Sequence, residues 1–261
     1  MGSASNTYGG PITLTGASRI NSDAGNFNLT TAATINTTAS AYSLTFGGAY
    51  NTTASGIITG AASLNKDGSG TLILNAANTY TGATNINTGI VQVQNNDALG
   101  SQNAGTGSSN TIVSDGAAIQ IYGTSLTIPE AISIYGTGIS SGGAIRNFTG
   151  SGGTNILSNT ITLNSNARIN VDASTLTMNN ATAAIALGGY TLNTGVNTAT
   201  NFNISGLLTG SGAFTKDSLG TITLSGTNTG YTGPITVAKG VMNIQNADAE
   251  KAKKEETEVK A

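Results

Sequence analysis

Apolar residues in this chain alternate with polar ones over very short runs. Leu72 and Leu74, then Ile86, then Val91 and Val93 sit at period-two spacing inside runs of four to six residues, the pattern of short strands with one buried face. Residues 75–78 and 87–89 between them are rich in Asn and Gly, which tolerate left-handed backbone and therefore turn the chain. A wider rhythm overlies this one. Ile161, Ile169 and Leu176 follow each other at spacings of 8 and 7, and Ile12, Ile20 and Phe27 do the same. Three such strands with their turns make a circuit of about 21 to 24 residues, so 261 residues predict roughly 11 to 12 coils. At the ~4.8 Å separation of neighbouring strands, that is a rod of about 50 to 55 Å.

The same pattern is written twice. Lys216-Asp217 matches Lys66-Asp67 at an offset of 150 (216 − 66), and Gly220-Thr221 matches Gly70-Thr71 at the same offset. One extra residue near Gly230 brings Tyr231-Thr232-Gly233 onto Tyr80-Thr81-Gly82 at 151. Ile244-Gln245-Asn246 then falls on Val93-Gln94-Asn95. Upstream, Arg168 matches Arg19 and Asp172 matches Asp23 at 149, and residues 206–210 match residues 56–60 at 150. The chain therefore reads as one long repeat, residues 6–146, and a partial second copy, residues 147–248, within a single β-solenoid over residues 1–248. A sandwich would want repeated Asn-Gly or Asp-Gly hairpins, and no such pair recurs in register.

The residues carrying the duplication also carry a resemblance. Gly-Thr-Leu-x-Leu from Gly70, Asn-Thr-Tyr-Thr-Gly-x-Thr from Asn78, and a strand running into Asn-Asp-Ala-Leu-Gly at residues 96–100 resemble the passenger-associated repeat of bacterial autotransporters. The second copy departs at its end, where Ala249 is followed by Glu250. The resemblance implies an all-β, right-handed parallel β-helix that is secreted and displayed outside the outer membrane. It also implies a translocator barrel as partner in a full-length parent. No basic segment or apolar run of signal-peptide length opens the chain, so an exported parent is expected to carry its signal and anchor elsewhere.

Composition narrows the chemistry. Charged residues are 8% of the chain, against roughly 25% in an ordinary soluble domain, and Gly numbers 36. Asn, Thr and Ser must then wet the surface. A net charge of −2 and a pI near 5.0 provide no basic patch, so no nucleic acid partner is expected. Without His or Cys, the usual zinc and transition-metal sites and the Ser-His-Asp and Cys-His arrangements are unavailable. Polysaccharide-cleaving chemistry wants clustered carboxylates, whereas Asp23, Asp67, Asp97, Asp115, Glu130, Asp172 and Asp217 fall mostly one per coil. Calcium solenoids want tandem Gly-Gly-x-Gly-x-Asp, which is absent. Ice binding wants Thr-x-Thr in every coil, and Thr221-Ile222-Thr223 corresponds to Thr71-Leu72-Ile73 in the first copy. No catalytic, metal or cofactor-binding residue is assigned.

Three features remain. Tyr8, Tyr80 and Tyr231 share one slot before Gly and suit a sugar platform, but packing over a turn is the preferred role. Residues 101–160 are the least regular and include two Gly/Ser/Asn stretches, 101–111 and 139–155, with Pro129 expected at a strand end. In the tail, nine of the fifteen residues 247–261 are charged; residues 249–261 are expected to be helical or disordered, either solvated or capping an open end. The function expected is a non-catalytic adhesin or stalk segment with a host-surface or glycan ligand. The alternative is a self-associating subunit of a filament or surface layer.

Overall fold

The computed structural model describes residues 5–37, 42–101, 110–148 and 152–246. Within them lie thirty short strands and one 3-10 turn, Ile139–Ser141. Every strand pairing is parallel. The chain winds as a three-faced β-solenoid of about ten turns, most turns laying one strand on each face before rising to the next. Taking Ser5–Tyr8, Ile12–Thr13 and Ser18–Asn21 as first, second and third face, the first and third faces form one 20-stranded sheet, joined through the 11-residue strand Ile161–Val171. The second face is split into sheets of four and six strands. Between them, residues 94–100 round the corner with no strand, burying Ala98 and Leu99.

Alternation explains each strand. In Thr71–Leu74, Leu72 and Leu74 point inward and are fully buried, while Thr71 and Ile73 face out. Because register is kept from turn to turn, inward side chains stack in columns. On the first face one column runs Leu72, Val91, Ile119, Ile145, Ile169. On the second, Leu157, Met178, Ile204, Leu224 and Ile244 stack likewise. A one-residue slip would turn such a column out to water, so burial fixes the register.

Turn length varies more than the even rhythm of apolar residues predicts. Leu72 pairs with Val91, 19 residues on (91 − 72), whereas Ile132 pairs with Ile161, 29 residues on (161 − 132). The long turns of the middle region absorb residues, which is why about ten turns form where 11 to 12 were expected. Pro129 lies between Thr127–Ile128 and Ala131–Gly136, outside both ladders. Most of the 101–111 stretch and the centre of 139–155 lie outside the described residues, as does the tail from 247.

The long repeat is not a whole number of turns. Thr71–Leu74 pairs in the 20-stranded sheet on the first face; its duplicate Thr221–Leu224 pairs in the six-stranded sheet on the second. Likewise Thr84–Ile86 lies on the third face and Ile235–Val237 on the first. Each equivalent strand has advanced by one face, about a third of a circuit. The Thr71 and Thr221 runs are thus not on one face, and the neighbours stacked on Thr221 and Thr223 are Asn201 and Asn203 below, Val241 and Asn243 above. Thr-x-Thr does not continue through those turns.

Candidate functional site

The duplicated residues gather at the corners between turns. Lys66 ends the strand Ser63–Lys66 pointing inward, between Phe46 and Ile86 in its column, and is 2% exposed. Its Nζ donates to the carbonyls of Asp67, Gly68 and, on the next turn, Thr88, at 2.7, 2.8 and 3.3 Å. Three donors meet three acceptors, so the ammonium is hydrogen-bonded without any carboxylate. Burial, against the opposing pull of Asp67, pushes it down to about 8. Lys216 repeats the arrangement, fully buried, with Nζ on the carbonyls of Ser218 and Lys239, and burial lowers it too. A glycine in left-handed backbone packs on each: a Cβ at Gly89 would stand 2.8 Å from Lys66 Nζ, and one at Gly240 2.6 Å from Lys216 Nζ.

The adjoining aspartates face outward and are ion-paired. Arg19 grips Asp67 with two nitrogens on two oxygens, and Arg168 grips Asp217 at 2.5 and 2.8 Å. In each case the Nε donates to an asparagine two residues on, Asn21 or Asn170, which fixes the fork. The arginine hydrogen bond holds the Asp217 carboxyl below the usual range.

The Asn-Thr-Tyr-Thr-Gly motif is used internally as well. Asn78 Oδ1 accepts from the Ile58 N–H on the turn below and its Nδ2 donates to the Ala98 carbonyl on the turn above; Asn228 Oδ1 accepts from Leu208 N–H in the same way. Tyr80 is 1% exposed, with its hydroxyl 2.6 Å from Thr84 Oγ1, and Tyr231 is 7% exposed, donating to the carbonyls of Gly212 and Pro234. Burial raises both phenols, Tyr231 to about 12. Neither ring is available as a sugar platform. Tyr8, in the same slot of the first turn, is exposed.

Of the remaining carboxylates, Glu130 is 2% exposed, and burial, helped by Asp97, raises it to about 8. It is closed to a substrate. Among the described residues no three Asp, Glu, His or Cys side chains gather as a metal site would require. The sequence reading passed over two exposed rings, Tyr122 and Phe148, each standing at a corner directly after a strand of the first face. Their signal was an aromatic two places beyond an outward polar residue, Gln120 or Arg146, but it needed register to be seen.

Comparison with known proteins follows the same residues. The model of the passenger-associated-transport-repeat matches residues 64–93 and 214–244, the two segments that bear the buried lysine, the asparagine stitch and the buried tyrosine. The chain is 33% identical over 188 residues, 72% of its length, to the adhesin BmaC autotransporter of Brucella suis biovar 1, and spans about 4% of the length of that relative. No solved structure matches significantly. With both repeats making the same local contacts one face apart in a single parallel solenoid, the chain is a passenger segment of the autotransporter kind, built on passenger-associated-transport repeats.

Proposed function

We propose that the chain is a non-catalytic segment of a surface-exposed or secreted adhesin, serving as a rigid stalk that holds binding surface away from the cell. The observation that carries this reading is that most of the duplicated polar residues bond from one turn to another, Lys66, Asn78 and Asp67 in the first copy and Lys216, Asn228, Asp217 and Tyr231 in the second, while Tyr80 is buried with its hydroxyl on Thr84 of its own turn. A chain whose most repeated chemistry serves its own ladder is built for length and stiffness. The reading takes residues 1–248 as one solenoid unit and residues 249–261 as a separate charged tail. A translocator barrel in the parent and a host-surface or glycan ligand are its partners; a nucleic acid is not.

Beads coated with the chain should adhere to epithelial monolayers or to immobilised extracellular matrix above the level of albumin-coated beads. Failure to adhere to any of these surfaces would defeat the adhesin part. Small-angle scattering should give the profile of a rod about 50 Å long, and a spherical profile would defeat the stalk part.

One observation favours a second reading, self-association into a filament. Val237 and Val241 on the last turns are 46% and 50% exposed, a partly apolar end to an open ladder. Sedimentation velocity across a hundredfold concentration range separates the two, because filament subunits would grow and a stalk segment would not.

A further inference from the structure

We infer that the first face carries a binding site for an uncharged oligosaccharide, centred on Tyr122 and Phe148; this rests on the adhesin reading and names its ligand class. Ile121 and Asn147 are register partners, and Phe148 N–H donates to the Ile121 carbonyl, so the residues that follow them, Tyr122 and Phe148, occupy the same corner on consecutive turns. They are 43% and 39% exposed, two of six exposed aromatic rings among the described residues. Their spacing along the rod is that of neighbouring strands, ~4.8 Å, close to the length of one pyranose ring. Aromatic rings on a polar surface offer apolar faces to the C–H faces of sugars, at low entropic cost because they are stiff.

The groups beside the rings suit hydroxyls. Arg146 and Gln120 are register partners, and Gln92 Nε2 donates to Gln120 Oε1 at 3.3 Å, so the partly exposed Gln92 amide and Arg146 guanidinium flank the buried Gln120 along the face. Planar groups of this kind bind adjacent hydroxyls in pairs. The Arg146 guanidinium lies 4.5 Å from the Phe148 ring centroid and its Nε donates to Asp172 on the next turn, which fixes ring, guanidinium and carboxylate relative to one another. That ion pair also decides the ligand's charge. With Arg146 matched by Asp172, the patch has no net charge to attract a polyanion, and two rings among polar side chains suit a polyhydroxylated chain better than an apolar peptide.

Isothermal titration calorimetry of the intact chain against cellohexaose, maltohexaose, laminarihexaose and mannohexaose, with polygalacturonate as a charged probe, tests the site. At least one uncharged hexasaccharide should bind, with affinity falling tenfold or more in Tyr122→Ala and in Phe148→Ala, and retained in Tyr122→Phe and in Tyr190→Ala, an exposed ring on another corner. Circular dichroism of each variant confirms the fold, and both truncated rings are surface groups. No binding by any hexasaccharide, binding unchanged in both Ala variants, or binding of polygalacturonate alone would overturn the inference. The bead assay keeps the two readings apart: wild-type beads that adhere while no hexasaccharide binds defeat the glycan site alone, whereas hexasaccharide binding without bead adhesion upholds the site and defeats the adhesin reading.

Discussion

Arg19 reaches past Gly47 on the neighbouring turn and closes on Asp67 two turns along the solenoid, with nitrogen–oxygen distances of 2.5 and 2.7 Å. Gly47 has no left-handed backbone to explain it. Its role is space, since a Cβ there would stand 2.3 Å from the Arg19 guanidinium. Arg168, Gly195 and Asp217 repeat the arrangement one face further round. Three consecutive turns are thereby tied by one ion pair that needs a missing side chain in the middle.

The first prediction concerns that gap. Gly195→Ala should lower the unfolding midpoint even though alanine suits the local backbone, and the loss should shrink when Arg168→Ala is made as well, the part that remains coming from Asn170, which also abuts the added Cβ. A double-mutant cycle on Arg168 and Asp217 should give a coupling of about 0.5–1 kcal/mol, reduced in 1 M salt. Because Arg168 lowers the Asp217 pKa, this stabilisation is present above the ordinary aspartate range and lost as pH falls through the depressed value. A glycine substitution that costs the same with and without Arg168 would refute the account.

Lys66→Met should cost about 1–3 kcal/mol, because it leaves the carbonyls of Asp67, Gly68 and Thr88 without their donor. The buried ammonium, held near 8 against an ordinary 10.5, binds fewer protons folded than unfolded between those values. Wild-type stability should therefore rise as pH goes from 8 to 10.5, and that rise should shrink in the variant. Urea unfolding at pH 7.5, 9 and 10.5 measures both.

Glu130 predicts the opposite slope at lower pH. Its folded value of about 8, against an ordinary 4.5, means the folded chain holds a proton the unfolded chain has released. Stability should decline between pH 4.5 and 8, and Glu130→Gln should remove most of the decline. At pH 9 the variant should be more stable than wild type by at least about 1.4 kcal/mol, the worth of one pKa unit. Equal stability at pH 9 would show the carboxylate to be solvated.

Tyr80→Phe removes a hydroxyl bonded to Thr84 and should cost about 0.5–1.5 kcal/mol, while Tyr80→Ala, which empties a fully buried site, should cost about 3–5 kcal/mol. Sugar binding, if measured alongside, should be unaffected by Tyr80→Phe. Thermal melts of the pair would contradict the packing role if both variants stayed within about 0.5 °C, at most a quarter of the roughly 2–4 °C expected for 1 kcal/mol in a chain of this size.

The alternating runs, the 7- and 8-residue rhythm and the offsets of 149 to 151 were enough to specify a repeating all-β solenoid with inward Leu, Ile and Val, because strand period and repeat length are local properties of the chain. The nearly equal separations of Arg19 from Asp67 and Arg168 from Asp217 were also present, 48 and 49 residues, but their meaning required knowing how many residues make a turn. Lys66 and Lys216 were hidden, since lysine beside aspartate reads as surface until the corner carbonyls that satisfy it are in place. Turn length itself, 19 residues in one place and 29 in another, was settled only by which distant strands pair. That pairing alone decides which face each duplicated motif occupies and which outward side chains become neighbours, and it is what brings Tyr122 and Phe148 together: cross-turn contacts depend on the summed length of everything between them, a quantity no local pattern contains.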